Sequence, residues 1–310
     1  MIIVTGPTGV GKSDLALDLA RWLNGEIINI DMGQCYTPLT IGTAKPDWRT
    51  LPVPHHLFDC IDEPVAMNVI DFYQRVHSCI QDIKHRQRVP ILVGGSGFYI
   101  HSLFFPPLRH VVTPKNVYEQ PTHVLWQQLY TIDPERARMI APGDRYRITR
   151  ALDIWRTHAV IPSRFKPRFD PVDMPAALLV VVRERDELHA RINQRVATMM
   201  AAGWCDEVAH LPIAWQEFLL KKKIIGYDDI IHALNAGSFT DSYQDMLTTI
   251  ARKTRAYAKR QMTFNRMMIK KVEEHADSVY TELVTVSGDC YEAVTHRLSK
   301  ILKKRGYGVE

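Results

Sequence analysis

The residues whose types and spacing best fit chemistry form the loop GPTGVGKS at positions 6–13. In such a loop, glycines let successive backbone N–H groups point at an anion, while the lysine and the hydroxyl face phosphate and Mg²⁺. The spacing leaves open whether the anion belongs to ATP, GTP or another diphosphate. The predicted phosphate-binding residues are Gly6, Pro7, Thr8, Gly9, Val10, Gly11, Lys12 and Ser13, with Ser13 as the metal ligand.

A carboxylate, Asp31, ends the second apolar run of the chain, in EIINIDMGQCY. Because the ends of parallel strands face one crevice, this carboxylate is expected beside the bound phosphate, either as a magnesium ligand or as a general base. A structural role, capping of the following loop, is the third possibility. The segments IGTAKP at 41–46 and ILVGGSGFY at 91–99 bring Lys45, glycines and hydroxyls to the same edge.

Apolar runs predict the elements that position these residues. Each run is followed by a segment with helical period, which predicts an α/β fold: a P-loop NTPase-like, mostly parallel sheet flanked by helices. The runs lie at 1–5, 26–30, 90–93 and 177–182, and the main helices are expected at 13–23, 186–203 and 246–271.

A segment rich in Pro, Arg and aromatic residues interrupts this alternation and has no strand-like run of comparable strength. Helical spacing at 123–133 and 144–158, including Trp155 on the apolar face, predicts a helical insertion. The predicted domains are a catalytic core at 1–105 and 176–310, with basic C-terminal helices, and an insertion at 106–175.

Composition narrows the class of protein. The 310 residues are 46% apolar, the five cysteines form no C-x-x-C pair, and no apolar run could span a bilayer, so we expect a compact cytoplasmic enzyme with reduced thiols and no membrane partner. The net charge is +5, and residues 219–271 carry eleven Lys and Arg against four Asp. This excess fits a polyanionic partner or, on charge alone, a solvated helix face.

Six motifs occur in order between residues 3 and 271: GPTGVGKS, DMGQCY, GTAKP, PHHLFD, VGGSGFY and KRQMTFNR. This series closely resembles the tRNA dimethylallyltransferases, also called tRNA isopentenyltransferases or IPP transferases. Their pattern joins GPT-x-x-GK-[ST], D-S-x-Q-x-Y, GTAKP, PHH-L-x-D, VGGTGLY and KRQ-x-TW-x-R. The absence of a cysteine and histidine finger after the last motif points to the bacterial type.

The resemblance implies transfer of a dimethylallyl group from dimethylallyl diphosphate to the exocyclic N6 amine of an adenosine. The acceptor would be the adenosine 3′-adjacent to the anticodon, in tRNAs that read codons beginning with U. Asp31 would be the general base, and Ser96, where the family has threonine, would help it to hold the amine. Arg195 in RINQRV, favoured over Arg191, and Lys45 would bind the diphosphate with the loop amides of Thr8 to Lys12, and Mg²⁺ would be the cofactor.

The resemblance also implies that the enzyme is a monomer that grips the tRNA anticodon arm. The expected tRNA-binding residues are Asp31, Met32, Gly33, Gln34, Arg147, Arg150, Lys223, Gly226, Tyr227, Arg255, Lys259 and Arg260. Arg252, Arg255, Lys259 and Arg266 fall on one stripe of the C-terminal helix.

Three departures from the family pattern affect these expectations. Met32 replaces a serine, Phe264 replaces a tryptophan, and the insertion is short around 109–123. Three alternatives stay open: a P-loop kinase of a small metabolite, an adenylate isopentenyltransferase, and an RNA-binding protein with a vestigial phosphate loop. The joint presence of Lys12, Ser13, Asp31 and Arg195 argues against the last of these.

Overall fold

The structure, a computed structural model, describes residues 1–105, 118–165, 176–236, 243–275, 279–288 and 291–306. The chain divides into two compact units, one formed by Met1–Phe104 with Pro171–Glu310 and the other by Phe105–Asp170. Within the described ranges, each helix is too short or too polar to cross a membrane.

A six-stranded parallel sheet forms the centre of the first unit, with the strand order β3-β2-β4-β1-β5-β6. The strands are β1 (Ile2–Thr5), β2 (Gly25–Asn29), β3 (His55–His56), β4 (Val89–Val93), β5 (Ala176–Val182) and β6 (Val279–Thr285). The four strands expected from the sequence are the central ones, and they are buried almost throughout, as parallel strands covered on both faces must be. The predicted α/β fold with a mostly parallel sheet is confirmed.

Helices surround this sheet and also build the second unit. They are α1 (Lys12–Trp22), α2 (Met32–Cys35), α3 (Val69–His85), α4 (Gly97–Phe104), α5 (Thr122–Ile132), α6 (Pro134–Arg138), α7 (Arg145–His158), α8 (Arg185–Ala201), α9 (Trp204–Ala209), α10 (Ile213–Lys222), α11 (Tyr227–Ala236), α12 (Tyr243–His275) and α13 (Glu292–Lys304). Because α1 and α4 begin directly after the loops that leave β1 and β4, both helices start at the edge of the sheet where the candidate site lies.

Two apolar cores stabilise the first unit. One lies between the sheet and the helices α1, α8 and α13, and it includes Leu15, Leu179 and Leu298. The other is formed by α2 and by the five consecutive helices from α8 through α12, and it surrounds the fully buried Trp204 and Tyr227. Helix α12 packs along α8. These two long helices carry the predicted arginines, and both cores help to hold them in place.

The second unit has its own small core, in which α5 and α7 pack through Leu125, Leu129, Ile148 and Leu152. Asp133 caps α6 by accepting a hydrogen bond from the backbone N–H of Arg136 at 2.9 Å. Trp155, expected on the apolar face of α7, is 37% exposed. Residues 109–117, where the insertion was expected to be short, lie outside the described residues.

Candidate active site

The loop between β1 and α1 has the backbone conformation that an anion cradle needs. Gly6, Gly9 and Gly11 all have positive φ angles, of 148°, 79° and 97°. A side chain at Gly11 would also collide with Tyr291, whose hydroxyl lies 2.0 Å from the position of the missing Cβ. Only glycine combines this conformation with this close approach. The glycines of the predicted phosphate loop are therefore required by its shape.

Lys12 lies over this loop, and its ammonium donates to the carbonyl of Pro7 at 2.8 Å. The pKa of Lys12 is lowered to about 8, chiefly by burial and also by the nearby Arg195, while Asp31 opposes the shift. The free protein thus holds a desolvated cation beside the loop, and a bound anion would stabilise its charged form.

Asp31 caps a helix and also lines the cavity of the candidate site. Its Oδ1 accepts a hydrogen bond from the backbone N–H of Gly33 at 3.1 Å, which caps α2. The buried Asn29 fixes the backbone around it, because its side chain accepts from the N–H of Asp31 at 2.8 Å and donates to the carbonyl of Asp31 at 3.0 Å. Capping holds the carboxylate in place without removing it from the cavity described next.

One cavity of about 500 Å³ brings the predicted catalytic residues together. Asp31, Ser96 and Arg195 all line it, as does Thr8 of the phosphate loop. Its other walls are largely apolar and include Met32, Met67, Ile192, Val196, Met199 and Phe218. The cavity therefore combines a carboxyl group, a guanidinium group and a hydroxyl with room for an apolar group.

The two arginines of RINQRV both reach this region. Burial and the neighbouring Arg191 lower the pKa of Arg195, while Asp31 and Asp14 favour its charged form. Arg191 donates from Nε to the carbonyl of Gly9 at 3.1 Å and so contacts the phosphate loop itself. Arg195 faces the cavity and Arg191 contacts the loop. The expectation that Arg195, rather than Arg191, binds the diphosphate stays a prediction.

Several predicted contacts need correction because the structure uses the groups elsewhere. Lys45 is almost fully buried, and its ammonium donates to the carbonyls of Tyr36 and Thr37 and to Asp59. With its three N–H groups engaged, Lys45 holds the GTAKP segment against PHHLFD, and we no longer expect it to bind diphosphate. The backbone N–H of Thr8 donates to the side chain of Gln261 at 2.9 Å, so the amides left to bind diphosphate begin at Gly9.

A further correction concerns Gly226 and Tyr227, which were expected to contact tRNA. Tyr227 is fully buried, and its hydroxyl donates to Glu207 at 2.7 Å. A Cβ at Gly226 would lie 1.9 Å from the ring of Trp204. These two residues therefore shape the core. Gln34 likewise donates from its side chain to the carbonyls of Thr43 and Ala44, at 3.1 and 3.2 Å.

Other predicted RNA-binding residues remain available at the surface or the cavity. Lys223 and Arg260 line the cavity, and Lys259 is exposed on α12. Arg255 is also on α12, where it hydrogen bonds to Asn193. Arg147 and Arg150 lie on α7 of the second unit, where Arg147 is exposed and pairs with Asp144 at 3.3 Å.

Both substitutions in the family pattern have a structural explanation. Phe264 packs its ring against Gly97, where a Cβ would lie only 2.2 Å from the ring. It therefore supports the turn that carries Ser96. Met32 lines the cavity with Met67 and Met199, so the serine-to-methionine change makes this wall more apolar.

Sequence reasoning gave no role to two buried side chains that hold the loops in place. Gln261 contacts both the phosphate loop and the turn at Gly95. Arg183, directly after β5, donates to the carbonyls of Val10 and Gly288 and to the hydroxyl of Tyr291. The position of Arg183 at the end of a strand is a signal that could have identified it. Gln261 lies in the motif KRQMTFNR, but the sequence alone indicated no role for it.

The parallel sheet, the glycine loop after its first strand and the carboxylate after its second define a P-loop-like α/β protein with one mixed polar and apolar cavity. Solved structures share this fold. The tRNA isopentenylpyrophosphate transferase of Bacillus halodurans matches with a TM-score of 0.66 and 27% identity, covering 98% of this chain and 95% of that chain. A eukaryotic dimethylallyltransferase acting on tRNA matches with a TM-score of 0.77 and 25% identity, over 98% of this chain and 78% of its own.

The family model described as IPP transferase matches residues 34–268. The tRNA dimethylallyltransferase 1 of Citrifermentans bemidjiense is 38% identical over 272 residues, which are 85% of this chain and 88% of the relative. The tRNA dimethylallyltransferase of Protochlamydia amoebophila is 34% identical over 278 residues, 86% of this chain and 81% of its own. The chain belongs to the IPP transferase family.

Proposed function

We propose that this protein is a tRNA dimethylallyltransferase. It transfers the dimethylallyl group of dimethylallyl diphosphate to the N6 amine of the adenosine 3′-adjacent to the anticodon and releases diphosphate. The observation that carries this proposal is the cavity that Asp31, Ser96, Arg195 and Thr8 line together with an apolar wall. The family membership and the names of the relatives support the same reaction.

The proposed chemistry forms a bond between N6 and the allylic carbon while the bond from that carbon to the diphosphate oxygen breaks. An aryl amine is a weak nucleophile, so removal of its proton by Asp31 strengthens the attack. The hydroxyl of Ser96 accepts or donates a hydrogen bond at the same amine. The carboxylate and the hydroxyl lie on one cavity, as this division of roles requires.

The leaving diphosphate needs positive charge and hydrogen-bond donors. Lys12, Arg195 and the loop amides from Gly9 onward supply them. Ser13, in the first turn of α1, has an exposed side chain, so its hydroxyl can reach a metal ion. A single protein hydroxyl is a sufficient ligand for Mg²⁺, because this ion is held mainly by phosphate oxygens and water. When bound, Mg²⁺ would neutralise charge on the leaving group.

The apolar part of the cavity suits the five-carbon chain, and the basic residues at its edge suit RNA. An adenine stacked in a loop must leave the stack before a recessed carboxylate can reach its amine. Lys223 and Arg260 line the cavity together with Tyr257 and place positive charge there. These residues would contact phosphates and the displaced base. The insertion is expected to contact the anticodon arm, and a monomeric state and a cytoplasmic location stay predictions.

Mass spectrometry of tRNA nucleosides tests the proposal. The purified protein, Mg²⁺ and dimethylallyl diphosphate should add one five-carbon unit to adenosine in unmodified tRNA. A parallel reaction with AMP in place of tRNA distinguishes this function from that of an adenylate isopentenyltransferase. An adenylate isopentenyltransferase would modify AMP instead of tRNA. Consumption of ATP without any change in tRNA mass would instead support the kinase alternative.

A further inference from the structure

Gln261 joins two loops of the candidate active site through one side chain. It lies near the middle of α12 and is 7% exposed. Its Oε1 accepts a hydrogen bond from the backbone N–H of Thr8 at 2.9 Å. Its Nε2 donates to the carbonyl of Gly95 at 2.9 Å. The phosphate loop and the turn that carries Ser96 are thus held by opposite ends of the same carboxamide.

The surroundings of this carboxamide leave little room for movement. A Cβ at Gly95 would lie 2.3 Å from Nε2 of Gln261, which shows how closely the turn approaches the side chain. The phenol of Tyr257, which lines the cavity, lies close to Gln261 as well. A displacement of this side chain would therefore move three parts of the site.

The chemistry of the two loops suits a group that stays both donor and acceptor at every pH, as an amide does. Thr8 presents a donor and the carbonyl of Gly95 presents an acceptor, and a neutral carboxamide is the side chain that matches both at once. A methionine of similar length would leave the backbone N–H of Thr8 without this acceptor, and the carbonyl of Gly95 would keep only the N–H of Gly97 as a donor among the described residues, which is costly. An ionised carboxylate would face the carbonyl of Gly95 with like partial charge.

We propose that Gln261 is a positioning residue for the transfer reaction. It fixes the distance between the phosphate loop, where the diphosphate leaves, and Ser96, beside which the amine attacks. This inference rests on the proposed function for the identity of the reaction. The link between the two loops rests on the contacts alone.

The test compares Gln261→Met and Gln261→Glu with Thr263→Ala, a change on the exposed face of the same helix. Misplacement of reacting groups by a fraction of an ångström to an ångström costs up to about 100-fold in rate. Gln261→Met should therefore lower kcat about 10- to 100-fold, weaken inorganic pyrophosphate binding, and leave the KM for tRNA unchanged. Thr263→Ala should match the unsubstituted protein in all three.

Gln261→Glu gives a readout that a packing role would not change. When protonated, the introduced carboxyl donates an O–H to Gly95 and accepts from Thr8, as the amide does; when ionised, it cannot donate. The ratio of its kcat to that of the unsubstituted protein should fall as pH rises. The corresponding ratio for Gln261→Met should not depend on pH.

Two results would overturn the proposal. One is an unchanged kcat and pyrophosphate affinity in Gln261→Met. The other is an equal, pH-independent loss in both variants that follows their thermal stability. Calorimetry with inorganic pyrophosphate keeps this test separate from the proposed function, because it requires no transfer. If the unsubstituted protein leaves tRNA unmodified, the function is wrong, while the pyrophosphate affinities of the variants still decide the role of Gln261.

Discussion

Lys12 is a cation whose charge the free protein destabilises. Burial lowers its pKa to about 8, although Asp31 partly compensates. A diphosphate in the loop would favour the ammonium and raise this pKa again. Below pH 8 the lysine is charged in both states, so binding takes up no proton at this group. Above pH 8 the free protein loses the proton and the complex retains it, so affinity should fall as pH rises.

Calorimetry of inorganic pyrophosphate binding at pH 8.5, in two buffers of different ionisation enthalpy, measures this proton uptake. The free ligand also titrates, and therefore Lys12→Met is the control that reports the ligand's own contribution. We expect a larger uptake in the unsubstituted protein than in Lys12→Met. Equal uptake in both would show that Lys12 does not change its protonation on binding.

Asp31 offers a test that separates capping from proton transfer. In Asp31→Asn, the amide oxygen can still accept the hydrogen bond that the N–H of Gly33 donates at 3.1 Å. The amide cannot take up a proton, so the transfer rate should fall by about 10²- to 10⁴-fold, the usual contribution of a general base. The Kd for tRNA, from filter binding or fluorescence, should change by only a few-fold. Near-normal turnover would remove Asp31 as the base.

At the scale of elements, the loop between α10 and α11 depends on close packing. Gly226 has a φ angle of 87°, and an added Cβ would lie 1.9 Å from the ring of Trp204. Gly226→Ala combines strain and overpacking, and it should lower the free energy of unfolding by about 2 to 4 kcal/mol. A chemical denaturation midpoint measures the change. Gly143→Ala is the control, because nothing lies within 4 Å of its added Cβ; equal midpoints would contradict the packing argument.

The elements predicted from the sequence are those whose patterns are set locally. The strands β1, β2, β4 and β5 are buried on both faces and read as continuous apolar runs. The edge strands were not predicted, because β3 has two residues and β6 is mostly half-exposed, with a mixed pattern. Sequence alone gives little signal for such edges.

The difference between local patterns and long-range contacts also explains which site residues could be predicted. Asp31 and Ser96 follow strand ends, where parallel topology brings residues to one edge, and the structure places both on one cavity. Lys45 was wrongly expected at the phosphate because its partner Asp59 comes 14 residues later in another motif. Gln261 has its partner Thr8 at a separation of 253 residues, a contact that only the folded chain reveals.

Over the whole molecule, positive charge is concentrated rather than spread. Residues 219–271 account for an excess of seven positive charges, eleven Lys and Arg against four Asp, in a chain whose net charge is +5. Several of these cations lie on α12 or line the cavity, including Lys259 and Arg260. A charge distribution of this kind makes RNA binding depend on salt through the release of counterions.

The charge on α12 can be tested by the salt dependence of tRNA binding. A lysine that neutralises one phosphate contributes about 0.7 to 0.9 to the slope of log K against log salt. Lys259→Ala should therefore weaken binding at low salt and reduce the magnitude of the slope by about one. Arg21→Ala removes one positive charge from α1, where Arg21 pairs with Asp18 at 3.5 Å, and it should leave the slope unchanged. If both substitutions change the slope equally, net charge alone governs binding and α12 is not the contact surface; if neither does, tRNA binds elsewhere.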